Sequence, residues 1–196
     1  MSTTFAGDKL QAMTAESDRA PEPLDLLRLF VNTLDYPSGP DGLGTVESAS
    51  QWCRAHGLPP VSNPRELERL RGFREALRDM LFANNGEGDP AQSWHALHPY
   101  LSTARFGLNL RPEHAPALEP AGAGAERTIA IMLAVAYDAM SAGTWTRLRA
   151  CRKGTCRFAY YDRSKNRSRA WCDMAVCGNR EKAQRRRSRD RHDAGG

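Results

Sequence analysis

Apolar side chains recur at helical spacing in five stretches, divided by segments rich in proline and glycine. Leu24, Leu27, Phe30, Val31 and Leu34 predict a first helix over 24–34, which the proline- and glycine-bearing stretch 37–44 ends. A second helix over 45–56 buries Val46, Ala49, Trp52 and Cys53, with Gly57 placed for a left-handed turn beyond its end and Pro59-Pro60 preventing its continuation. Asn63 as N-cap, Pro64 at the first helical position and Glu66 three residues after the cap start a third helix through a variant of the capping box. Its stripe runs through Leu67, Leu70, Phe73 or Arg74, Leu77 and Leu81. Pro90 opens a shorter helix carrying Trp94, Leu97 and Leu101.

The period changes towards two at Phe106, Leu108 and Leu110, which predicts a small β-hairpin with 115–118 as the return strand, confined to an edge by Pro116. A strongly apolar helix over 126–140, through Ile129, Leu133, Ala136 and Met140, then supplies the centre of the core. The expected fold class is α+β, mostly helical: a helical N-terminal domain with a small β-hairpin, followed by a separate C-terminal module.

At 196 residues the chain suffices for one ordinary domain and a small appendage. The apolar fraction of 40% and charged fraction of 26% are those of a globular protein. No apolar run approaches the ~20 residues of a bilayer span, so a membrane partner is not expected. Residues 1–21 mix Lys9, Glu16, Asp18 and Arg19 with small polar residues, lack the apolar core of a secretory signal and read as a flexible tail on a cytoplasmic protein.

The net charge of +5 conceals a division. Residues 1–146 carry 12 Lys/Arg against 18 Asp/Glu, or −6, whereas 147–196 carry 16 against 5, or +11. That much positive charge in so short a segment implies a polyanion, and nucleic acid suits it better than a membrane because no apolar helix face accompanies it.

Within the basic part, Cys151, Cys156, Cys172 and Cys177 give C-x4-C-x15-C-x4-C. Two short knuckles of this kind can surround one Zn²⁺ tetrahedrally with sulfur at about 2.3 Å, leaving no position for a reacting water, so one structural zinc per chain is expected. Free thiols or redox-active pairs fit the paired spacings less well. Gly154 is placed to let the first knuckle bend and Gly178 to relieve the backbone after the fourth ligand. Arg152, Lys153 and Arg157 flank the ligands, where positive charge favours thiolates.

Cys177-Gly178-Asn179-Arg180, with the run from Asp162 to Arg169, Trp171-Cys172 and Lys182, resembles the signature of the bacterial CGNR zinc-finger family. Phe30-Val31-Asn32-Thr33-Leu34, Leu70-Arg71 and Arg74-Glu75-Ala76-Leu77-Arg78 resemble that family's N-terminal ABATE domain, assigned to stress-induced transcription regulators. Leu29 stands where the family often has Asp, and Ala170 where it often has a second Arg before Trp-Cys. The resemblance implies a sequence-specific regulator of the stress response with a sensing or assembly domain at 22–146, a zinc finger with basic helix at 147–191 and a disordered end at 192–196.

For nucleic acid, the candidate contacts are Arg163, Lys165, Asn166, Arg167 and Arg169, whose alternation in an extended segment places the cations on one side. Residues 179–191 predict a basic helix, which adds Asn179, Arg180, Lys182, Arg185, Arg186, Arg187 and Arg189. Apart from Ala183 this helix has no apolar residue to hold it on the domain. Tyr160, Tyr161 and Trp171 either cover the zinc site or stack on RNA bases. Asn32, Arg71 and Arg74 adjoin apolar helix faces, where they either frame a small-molecule effector site or cross-link helices. No nucleophile elbow, P-loop or dinucleotide fingerprint is present, and no enzymatic role is expected. The expected partner is double-stranded DNA in a cytoplasmic, nucleoid-associated setting, with a homodimer formed by the N-terminal domain. The rivals are an RNA-binding protein and a zinc-dependent protein-interaction adaptor.

Overall fold

The computed structural model describes residues 18–36, 39–110, 113 and 116–179. In chain order the elements are α1 (Asp25–Val31), α2 (Val46–Ala55), α3 (Pro64–Ala83), α4 (Pro90–Leu101), β1 (Phe106–Asn109), β2 (Ala117–Pro120), α5 (Gly124–Ser141), a 3-10 turn (Trp145–Arg147), β3 (Leu148–Ala150), β4 (Ala159–Tyr161) and a π-helical turn (Met174–Gly178). The fold is α+β and mostly helical, with two antiparallel two-stranded sheets among the described residues.

Local chemistry explains the helix boundaries. Thr45 and Ser48 close a reciprocal capping box on α2, and Gly57 beyond its end takes φ 69°. Asn63 accepts from the Glu66 amide to cap α3, as its sequence position predicts. The Glu66 carboxylate reaches one residue further than a capping box requires, accepting from the Ser62 amide and hydroxyl. Helix α1 stops three residues earlier than its periodicity suggests, because the chain folds back to pair Leu34 with Asp41. In the first hairpin Phe106 faces Pro120, and the return strand begins after Pro116 rather than including it. Pro116 has no N–H to give to a ladder.

Helix α3 is the spine, packed against α1, α4, α5 and β3. Phe30, Leu70, Phe73, Leu77, Leu81, Ile129 and Met132 fill the core around it. The buried side of α3 also takes in two guanidinium groups. Arg78 is fully buried and donates to the carbonyls of Val31 and Arg157 and to Glu75. Arg74 pairs with Asp41 and Glu75.

The basic C-terminal part has a small buried cluster around its cysteines, but its hairpin packs into the core of the helices. Leu148, Ala150, Ala159 and Tyr161 from β3 and β4 belong to the same buried cluster as Phe30 and Leu77. Three asparagines of the helical part clasp this hairpin. Asn32 donates to the Ala159 carbonyl and accepts from its amide, acting as one rung of a missing strand. Asn84 donates to the carbonyls of Trp145 and Leu148, and Asn85 to those of Ala150 and Ala170. Packing therefore continues across residue 146. At the other end, Asp18 and Ala20, which the sequence places in a tail, are buried.

Candidate zinc centre and basic loop

Strands β3 and β4 present the first knuckle as their connecting turn. The Cys151 amide donates to the Phe158 carbonyl and the Cys156 amide to that of Lys153, which curls residues 151–156 around one point. The left-handed residue of this turn is Arg157, at φ 47°, rather than Gly154. Arg157 is held there by an ion pair with Asp79, by packing over the Phe82 ring and by the hydrogen bond from Arg78 to its carbonyl. The second knuckle sits on the π-helical turn, where Asp173 accepts from the Val176 amide and its carbonyl from that of Cys177. Gly178 packs closely against Met174 and Trp171, so a Cβ there would require the Met174 side chain to shift.

These turns bring the four sulfur atoms to within 4.8 Å of one another. The Cys156–Cys172 and Cys172–Cys177 separations are 3.6 and 3.7 Å. A tetrahedron with metal–sulfur arms of about 2.3 Å has edges of about 3.8 Å, so the donor set fits Zn²⁺ in both chemistry and size. Thiols this close cannot ionise independently. Hydrogen bonding with Cys151 holds the Cys156 and Cys177 thiols low and pushes Cys172 up, while Cys156 pushes Cys151 up. A divalent cation removes that conflict by stabilising all four thiolates. The fifth cysteine, Cys53, is buried in the main core, and burial pushes its thiol to about 11, as befits a packing residue.

Tyr160 and Phe158 are buried against the cysteines, with Trp171 partly buried beside them. The Tyr160 hydroxyl donates to the Arg169 carbonyl, and burial is the main reason its phenol is pushed above the usual range. Tyr161 faces the large core instead.

The loop between the knuckles is a turn, not the extended segment that its alternating charges suggest. Asp162, fully buried, organises it. One carboxylate oxygen accepts from the Ser164 amide, while the other accepts from the Arg169 amide and pairs with Arg149 at 3.2 Å. Arg147 braces the same corner through the carbonyls of Asp162 and Ser164. Inside this frame the Arg167 amide donates to the Ser164 carbonyl, and Arg167 adopts φ 51°. Lys165, Asn166 and Arg167 are exposed at the tip.

The chain matches the ABATE family, described as "Putative stress-induced transcription regulator", over residues 24–143, which is more than half its length. It belongs to the ABATE family. Residues 147–190 match a second family, the CGNR zinc finger. No curated protein is matched by the chain. The four clustered cysteines all lie within the CGNR finger.

Candidate contacts of the CGNR finger divide by environment. Arg163 is exposed but donates to the Arg19 carbonyl and lies over the Tyr161 ring. Arg169 is turned inward, pairing with Asp18 and donating to the carbonyls of Trp171 and Cys172. Arg152 and Arg157, beside the ligands, pair with Glu87 and Asp79 of the ABATE domain. Asn179 is exposed just after the π-helical turn. Arg180, Lys182, Arg185, Arg186, Arg187 and Arg189, with the predicted basic helix and the end at 192–196, lie outside the described residues.

In the ABATE domain Asn32, Arg71 and Arg74 serve as cross-links. Arg71 donates to the carbonyls of Leu43 and Gly44 and pairs with Glu68. Arg74 holds both oxygens of Asp41. Arg78, Asn84, Asn85 and Asp162 were the residues that sequence patterns did not single out for these roles. Their partners lie far along the chain or depend on a turn; the signals on offer were the place of Arg78 and Asp162 within the resemblance motifs and the polar Asn84-Asn85 pair at the end of an apolar stripe.

Proposed function

We propose that the chain is a DNA-binding transcription regulator in which a structural zinc shapes a basic loop for contact with double-stranded DNA. The observation that carries this reading is the loop tip. Lys165, Asn166 and Arg167 stand exposed on a turn fixed by the buried Asp162 between two zinc knuckles. Cations at such a tip can neutralise phosphates, and Asn166 can fix register by hydrogen bonding. The basic residues from Arg180 to Arg189 add positive charge next in the chain.

A closed set of four sulfurs leaves the metal no open coordination position, which supports a structural rather than a catalytic site. The RNA reading needs exposed aromatic faces, whereas Tyr160 and Tyr161 are buried and Trp171 is partly buried against the cysteines; this favours duplex DNA. No helix among the described residues is long and apolar enough to cross a membrane. The decisive experiment is a titration of zinc-loaded protein with duplex DNA, structured RNA and single strands in competition. The proposal expects the duplex to win and its affinity to fall steeply with salt. Preference for RNA, or no binding to any nucleic acid at low salt, would overturn it.

A further inference from the structure

We infer that Asp162 is a positioning residue for nucleic-acid binding, and that the phosphate contacts of the inter-knuckle loop are concentrated at Lys165 and Arg167. The inference rests on the DNA-binding reading and assigns roles within it. Four of the module's cations have inward commitments. Arg147 is spent on the carbonyls of Asp162 and Ser164, Arg149 on Asp162, Arg157 on Asp79, and Arg169 on Asp18 and two carbonyls. Lys165 and Arg167 are exposed and lie on the turn that Asp162 creates.

A fully buried carboxylate in a basic module accepts bonds from both ends of the turn. Amides at 164 and 169 bind its two oxygens, so the five intervening peptide steps are closed into a compact loop. Ser164 adds a second tie by accepting from the Ser168 amide. Without the carboxylate, the like-charged tip would open and its two cations would lose their common direction. Arg149 would also lose its buried partner.

This arrangement makes an opposite forecast from a charge count. Asp162→Asn removes one negative charge, so electrostatics alone predicts tighter binding to a polyanion. A positioning role predicts weaker binding. The test uses full-length, zinc-loaded protein and a short duplex DNA, with affinity measured over a range of salt and zinc content determined for each variant. Lys165→Ala/Arg167→Ala should lower the slope of log affinity against log salt by about 1.8, for two lost phosphate contacts. Asp162→Asn should weaken binding and lower the slope in the same direction. Adding Asp162→Asn to the double variant should weaken binding far less than it does in the wild type, because the two changes remove one interaction. If Asp162→Asn does not retain zinc, Ser164→Ala decides, with a smaller fall of the same sign expected.

Tighter binding by Asp162→Asn, an unchanged slope in the double variant, or full additivity would overturn the inference while leaving DNA binding by the wild type intact. For Ser164→Ala, unchanged affinity and slope would do the same. Absence of wild-type binding would remove the proposed function itself and this inference with it.

Discussion

Arg74 is 3% exposed, and its terminal nitrogens meet the two oxygens of Asp41 at 2.5 and 2.9 Å. Burial pushes the Asp41 carboxyl up, but the hydrogen bonds from Arg74 and from the Leu43 amide more than offset this and hold it below the usual carboxylate range. A carboxyl whose folded value is depressed stabilises the fold fully above its unfolded value, near 3.8, and loses that contribution as pH falls through the folded value. Asp41→Asn should therefore cost about 2 kcal/mol at neutral pH. Its deficit relative to the wild type should shrink as pH falls below about 4. Urea titrations of both proteins at several pH values check this, and a deficit that stays constant would rule out the ion pair as its source. Asn32→Ala leaves the amide and carbonyl of Ala159 without their side-chain partner in a buried place, which should cost about 2–4 kcal/mol in the same assay. The sequence showed that Asn32 and Arg74 border apolar faces but not what they bind. Their partners are 127 and 33 residues away, beyond the reach of any local pattern.

At the scale of elements, boundaries set by neighbouring residues were legible and those set by distant ones were not. Asn63, Pro64 and Glu66 start α3 where their order predicts, and Asn63→Ala should lower stability by about 1 kcal/mol in a thermal melt, with zinc content unchanged. A wild-type melting curve from that variant would show that the cap is redundant. The first hairpin also followed from alternation, with its return strand displaced because Pro116 lies ahead of it. The inter-knuckle loop shows where alternation misleads. Arg163, Lys165, Arg167 and Arg169 have the period of a strand, yet Asp162 offers its carboxylate to nearby amides and turns the chain instead. The candidate metal site was legible because paired cysteine spacings encode a knuckle locally, and the structure gathers all four cysteines.

For the whole molecule, the zinc site and the helical core are coupled through shared packing. Leu148, Ala150, Ala159 and Tyr161 lie in the large core, while Cys151 and Cys156 occupy the turn between their strands. A module with a core separate from the domain, as the sequence pattern suggests, would instead unfold on Cys172→Ser and spare the domain. The structure predicts that Cys172→Ser, or a strong chelator, lowers the melting temperature of the ABATE helices as well. Helical circular dichroism and tryptophan fluorescence should report one coincident, zinc-dependent transition; two separate transitions would show independent units. The described segment before α1 shares in this coupling, since Asp18 and Arg19 reach Arg169 and Arg163. For anyone wishing to graft this finger onto another protein, the clasp by Asn32, Asn84 and Asn85 sets the terms. A fragment cut at residue 147 would expose an apolar hairpin with its edge unpaired, inviting self-association, so a transplant has to carry a substitute for the helix ends that cover it.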